Sequence, residues 1–128
     1  FLQNQIDQGA TSVFDLGSLS KSPIPAEKLY VARMDLAAIS NVQDKLLKGN
    51  FDENSWLIIN MRQGNILAKK LEDQIISILE NSKIKRVRIL PFDAKSIEAT
   101  QNSRSALLEV AGRGHLRRSI RELAYELI

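Results

Sequence analysis

Ser55–Gly64, SWLIINMRQG, decides how this chain folds. Trp56 to Asn60 run apolar and β-rich before the polar Arg62-Gln63-Gly64 break, the pattern of a strand buried on both faces that ends in a surface loop. Asn60 is then the polar residue at the carboxyl end. Ligands of open parallel α/β sheets gather at that edge, so an amide there is placed to read a base or a phosphate. A second reading competes, and it is the commoner one in proteins: an Asn leaving a strand caps the turn through its own backbone.

Other elements follow outward from this strand. On its amino side, Thr11–Gly17, TSVFDLG, reads as a short strand with Asp15 at its end, followed by a Ser/Pro-rich loop through Pro25. Lys28–Met34, KLYVARM, is a second strand, and Asp35 is set to cap a helix over Leu36–Leu47 in which Ile39, Val42 and Leu46 share a face. On its carboxyl side, Ile66, Leu67, Leu71, Ile75, Ile78 and Leu79 repeat at helical spacing. Arg86–Leu90 alternates charged and apolar residues as an edge strand does, and Pro91 stops it. Helices over Ala94–Gln101, Ser105–Ala111 and His115–Ile128 complete the chain, the last with Leu116, Ile120, Leu123, Ala124 and Leu127 on one side. Strands alternating with helices predict an α/β fold, a mostly parallel sheet of about four strands flanked by helices.

Composition narrows the chemistry. A chain of 128 residues is one domain. With no cysteine and a single histidine, His115, it has neither a disulfide framework nor a thiolate or histidine-rich metal site, and it fits a reducing, cytoplasmic setting. No apolar run approaches the roughly 20 residues that a bilayer requires. The start at Phe1, on what reads as a helix end with Leu2 and Ile6 in one stripe and Gly9 as its cap, leads us to expect that residues 1–128 are a fragment of a larger domain.

The net charge of +3 is uneven: residues 1–60 carry 5 Lys/Arg against 7 Asp/Glu, and residues 61–128 carry 13 against 8. Arg86, Arg88, Arg113, Arg117, Arg118 and Arg121 suit a nucleic-acid partner, although mixed charge on solvated faces is the ordinary cause of such an excess. The KIKRVR stretch at 83–88 is expected to send its charges to solvent. It has no interleaved aromatics for base stacking. The terminal helix, basic on one side and apolar on the other, is a candidate for peripheral membrane contact, while a stripe packed on its own domain is the more frequent use.

Phosphoryl transfer needs a G-x-x-x-x-G-K-S/T loop to hold phosphate, and no Gly-Lys pair occurs here. Asp15 is a weak Walker B signal beside the commoner reading of a strand-end Asp that caps a turn. No Ser-His-Asp set is evident. A pocket of another kind at the strand ends has no residue set arguing for it.

Taken in order, TSVFDLGS, Ala26–Arg33 with Asp35-Leu36-Ala37-Ala38, Trp56–Arg62, Ile89–Asp93 and Leu116–Ala124 resemble the carboxyl-terminal half of a MinD/ParA-type P-loop ATPase, closest to TadZ/CpaE-like members associated with pilus assembly. The resemblance implies a P-loop NTPase-like fold that lacks its Walker A segment. It implies Asp15 as the Mg²⁺-linked acid, Asn60 with Arg62 on the adenine side, and Pro91-Phe92 in the loop against the base. ATP and Mg²⁺ are implied only together with an amino-terminal half that carries the phosphate loop. As it stands, the chain is expected to be a non-hydrolysing localisation or assembly protein with protein partners or a homodimer. Glu27 departs from the family's usual Asp, and Ser103 stands where members often have Gly.

Overall fold

The computed structural model describes residues 13, 15, 26–80, 82–84, 86–110 and 112–127. In chain order these form β1 (Lys28–Arg33), α1 (Leu36–Leu47), β2 (Ser55–Arg62), α2 (Ile66–Glu80), β3 (Arg86–Pro91), α3 (Ala94–Ser103), the single turn α4 (Leu107–Val110) and α5 (His115–Leu127). The sheet has the order β1-β2-β3 and both pairings are parallel, Val31 opposite Ile58 and Ile58 opposite Arg88. The fold is therefore α/β with a parallel three-stranded sheet and helices on both faces. The strand expected over Thr11–Gly17 lies outside the described residues except for Val13 and Asp15, both exposed.

β2 is central because its sequence tolerates water on neither side. Ser55 to Ile59 are all buried. Leu57 and Ile59 face one layer, where Ile39 and Val42 of α1, Leu71 and Ile75 of α2 and Phe51 complete a core. Trp56 and Ile58 face the other, against Leu90, Leu116 and Leu123. Both crossover helices lie on the first face, as two parallel connections of one hand in a 1-2-3 order require.

Local chemistry fixes the helix ends. Asp35 accepts the Ala38 N–H at 2.8 Å and caps α1 as its sequence position predicts. Gly49, at φ +68°, closes the helix: its N–H reaches the Leu46 carbonyl and the Asn50 N–H that of Lys45, the paired bonds of a Schellman motif. Asn65 accepts the Ala68 N–H at 2.8 Å and starts α2.

Several expectations change. α2 buries Ala68, Leu71 and Ile75 but leaves Ile66 and Leu67 exposed: at 3.6 residues per turn Ile66 lies on the side of the helix opposite Ile75, and Leu67 lies at the margin of the buried face. The helix expected over Ser105–Ala111 is only the four residues of α4, and α3 instead runs on to Ser103. Ala124 is exposed, so the α5 stripe consists of Leu116, Leu123 and the half-buried Ile120 and Leu127. β2 also continues past Asn60. Ile59 pairs with Ile89 and Arg62 with Pro91, so β2 spends one residue more than β3 over this step and bulges. Met61 absorbs the bulge at φ +65°.

Candidate functional site at the carboxyl rim

Parallel pairing brings the ends of β1, β2 and β3 to one edge. Here Arg62 sits opposite Pro91, and the Phe92 N–H donates to the Arg62 carbonyl at 2.9 Å. Four residues expected on the adenine side, Asn60, Arg62, Pro91 and Phe92, are thus neighbours on adjoining strand ends. Phe92 is 39% exposed at this edge.

Their individual roles diverge. Asn60 is half-buried; its Oδ1 accepts the Met61 N–H at 2.8 Å, and its backbone carbonyl accepts from Met34 N at 2.8 Å. The turn-capping reading is therefore what its acceptor does, and it steadies the left-handed residue that follows. The Nδ2 donor and a second lone pair on Oδ1 remain for a ligand. Arg62 donates its Nε to Glu72 of α2, and this bond raises the guanidinium pKa. It is committed to holding the bulged end of β2 against α2.

Asp15 is exposed, and its sequence neighbours lie outside the described residues. Among the described residues no group of three His, Asp or Glu side chains is placed to hold a metal ion.

A cavity of about 200 Å³ opens on the other side of the Asn60 turn, between the ends of β1 and β2 and the start of α2. Arg33, Met34, Met61, Leu67 and Leu71 are among its lining residues. The sequence reading did not assign this site. Its available signal was the Met61-Arg62-Gln63 break after an otherwise apolar strand, which locates a loop but not a bulge.

Asp93, directly after Pro91-Phe92, joins two helices. It accepts the Ser96 N–H at 3.1 Å and the Ser96 hydroxyl at 2.7 Å at the start of α3. The Ser96 hydroxyl foremost, then the Ser96 N–H, the Leu116 N–H and the charge of His115, hold its carboxyl pKa below the usual range. Gly114 packs so closely that a Cβ there would lie 2.5 Å from Ser96 Oγ and 2.7 Å from Asp93 Oδ2. The rim loop after β3 is thereby tied to the start of α5.

Lys83 and Arg86 of the basic stretch are exposed as expected, and the arginines are at the same time paired. Arg86 and Arg88 converge on Glu126 of α5, with Arg88 Nη2 at 2.5 and 2.6 Å from its two oxygens and Arg86 Nη1 at 3.2 Å. Arg88 foremost lowers the Glu126 pKa. The Arg86 guanidinium also lies 5.5 Å over the Trp56 ring. These two arginines clamp α5 to the sheet, a pairing 38 and 40 residues apart that strand alternation alone cannot disclose. The Arg117 Nη1 donates to the Gly112 carbonyl at 2.8 Å. Among the described residues no helix is long and apolar enough to cross a membrane. No protein-family model, curated protein or solved structure matches the chain. The reading of the rim accordingly stands on its geometry and on the motifs in the sequence.

Proposed function

We propose that this chain is a MinD/ParA-like localisation or assembly protein of the kind used in pilus or secretion systems, cytoplasmic and acting through protein contacts. Alone it does not hydrolyse nucleotide. The observation that carries the reading is the convergence of Asn60, Arg62, Pro91 and Phe92 on one edge of a parallel sheet, joined by the Arg62 carbonyl and the Phe92 N–H. The missing Gly-Lys phosphate loop supports the non-hydrolysing part, since positioning and neutralising phosphate supply most of the catalysis in such enzymes.

The nucleic-acid alternative has less support. Arg86 and Arg88 already share the Glu126 carboxylate, so phosphate contact would have to displace a bonded partner. For a terminal helix on a membrane, the apolar stripe of α5 would have to leave Trp56, Ile58 and Leu90.

Two measurements test the proposal. Calorimetric titration with Mg-ATP should give no tight binding and no phosphate release; tight binding with turnover overturns the non-hydrolysing assignment. Chemical crosslinking in the source cells should recover the chain in a larger species, and recovery solely as a monomer overturns action through protein contacts.

A further inference from the structure

The chain has two sulfur atoms, and both stand at one depression. Cysteine is absent, and Met34 and Met61, far apart in sequence, together line the cavity between the ends of β1 and β2 and the start of α2. In a chain without thiols the thioether is the soft, polarizable group that oxidants take first.

Access and surroundings suit that chemistry. Both methionines are half-buried rather than enclosed, and the depression is open to solvent, so a small oxidant reaches them without unfolding. Its lining is mixed, with Arg33, Gln63 and Asn65 beside Leu67 and Leu71. Oxidation turns an apolar side chain into a polar, chiral one whose new oxygen accepts hydrogen bonds. Arg33 is paired with Asp35 through Nε at 3.4 Å, and its fork carries further N–H groups beside that oxygen. A sulfoxide here lies among donors instead of in a dry core.

One residue joins the two methionines. The Asn60 carbonyl accepts the Met34 N–H and the Asn60 Oδ1 accepts the Met61 N–H, each at 2.8 Å. Met61 is held there at φ +65°, a conformation that a side-chain-bearing residue keeps only while its surroundings over-determine it. A change of polarity and shape at this side chain therefore acts on the bonds that hold the bulge. Packing separates the pair: Met34 also packs against the core under α1 and α2, whereas Met61 stands on the bulge itself. Met61 is the more open to attack.

We propose that the Met34–Met61 pair is a reversible oxidation site, in which a hydroperoxide converts the Met61 thioether to its sulfoxide and loosens the Asn60 junction. The peroxide O–O bond breaks, one oxygen forms the S=O bond, and the other leaves as water or an alcohol with the proton; sulfur loses two electrons and the peroxide gains them. A dithiol reductant reverses the step, becoming a disulfide while the oxygen leaves as water. Neither the reaction nor its effect on Asn60 needs a protein partner.

Hydrogen peroxide is the probe, with tandem mass spectrometry locating the added oxygen and amide exchange reading the junction. In the folded protein Met61 should oxidise within about threefold of the rate of N-acetylmethionine, and Met34 about tenfold more slowly. Exchange at the Met34 and Met61 amides should then quicken about tenfold, while that of Ile58 in the middle of β2 stays as it was. Treatment with methionine sulfoxide reductase should restore the slow rates. Met61→Leu keeps an apolar side chain of similar volume and should leave exchange indifferent to peroxide. Protection of both thioethers by more than about a hundredfold overturns the site. Sulfoxide at Met61 with unchanged amide exchange overturns its hold on Asn60, and quickened exchange that persists in peroxide-treated Met61→Leu overturns Met61 as the responsive residue. Exchange that stays fast after the sulfoxide has been reduced overturns reversibility.

Discussion

β2 and β1 lie side by side in one sheet but meet solvent differently. In β2, Leu57 and Ile59 pack under α1 and α2 while Trp56 and Ile58 pack under α5, so both faces are dry. In β1, Tyr30 and Ala32 join the first core, yet on the opposite face Leu29 is 43% and Val31 69% exposed. The helices after β3 turn back over β3 and β2 and leave that face of β1 open among the described residues. Stability is therefore concentrated in β2, and the β1 side, including its end at the cavity, retains apolar surface for contact.

Truncating equivalent positions breaks this comparison most severely. Ile58→Ala should cost about 2–5 kcal/mol, whereas Val31→Ala, its partner on the same face of β1, should change stability by less than about 0.5 kcal/mol, both by denaturant unfolding. Equal losses would mean that β1 is covered on both faces.

The covered side also depends on the joint between α3 and α5. Gly114→Ala should cost about 1–3 kcal/mol, because its Cβ must displace Ser96 and Asp93. Gly112→Ala is the internal control: nothing lies within 4 Å of its Cβ, and its thermal midpoint should scarcely move. On the α1 side, Gly49→Ala should cost about 1–2 kcal/mol from backbone conformation alone, since its Cβ would meet open space and only the φ of +68° opposes it.

The smallest expected effects are electrostatic. Asp52, Asp93 and Glu126 have carboxyl pKa values lowered by Lys28, Ser96 and Arg88 respectively. Their contribution is present above the ordinary carboxylate pKa of about 4 and is lost as pH falls through the lowered folded values. Lys28 is raised by Asp52, so its share persists below its ordinary 10.5 and is lost as pH rises through the higher folded value. Glu126→Gln should flatten the acid limb of a thermal-midpoint profile slightly, an effect that shrinks with added salt. The helix α5 should loosen, while β1 exchange stays unchanged.

Much of this was legible in the sequence because the controlling interactions are local or periodic. The apolar run at Trp56–Ile59, the alternation in Arg86–Leu90 and Asp35 before α1 each announce their element within a few residues. The Ile66 and Leu67 stripe misled because apolar spacings of one, three and four drift round a helix, and Ile66 ends on the side opposite the buried Ile75. The bulge at Met61 escaped because register is a property of two strands, and KLYVAR, SWLIINMR and RVRILP each read as simple strands on their own. Asp93 with Gly114, and Arg86 and Arg88 with Glu126, join residues 21 to 40 positions apart, beyond any single window. The rim set of Asn60, Arg62, Pro91 and Phe92 was legible only through ordered motifs, and its geometry then divided their roles.

Amide hydrogen exchange along β1, an edge strand among the described residues, tests the account most directly. The Lys28 N–H donates to the Asn54 carbonyl just before β2 at 3.0 Å and the Met34 N–H to the Asn60 carbonyl at 2.8 Å, so strand alternation turns the N–H groups of Tyr30 and Ala32 toward β2 and those of Leu29, Val31 and Arg33 away from it. The account predicts slow exchange at Tyr30, Ala32 and Met34 and fast exchange at Leu29, Val31 and Arg33. Uniform protection of all six amides would show a second strand already seated on β1 and would contradict it.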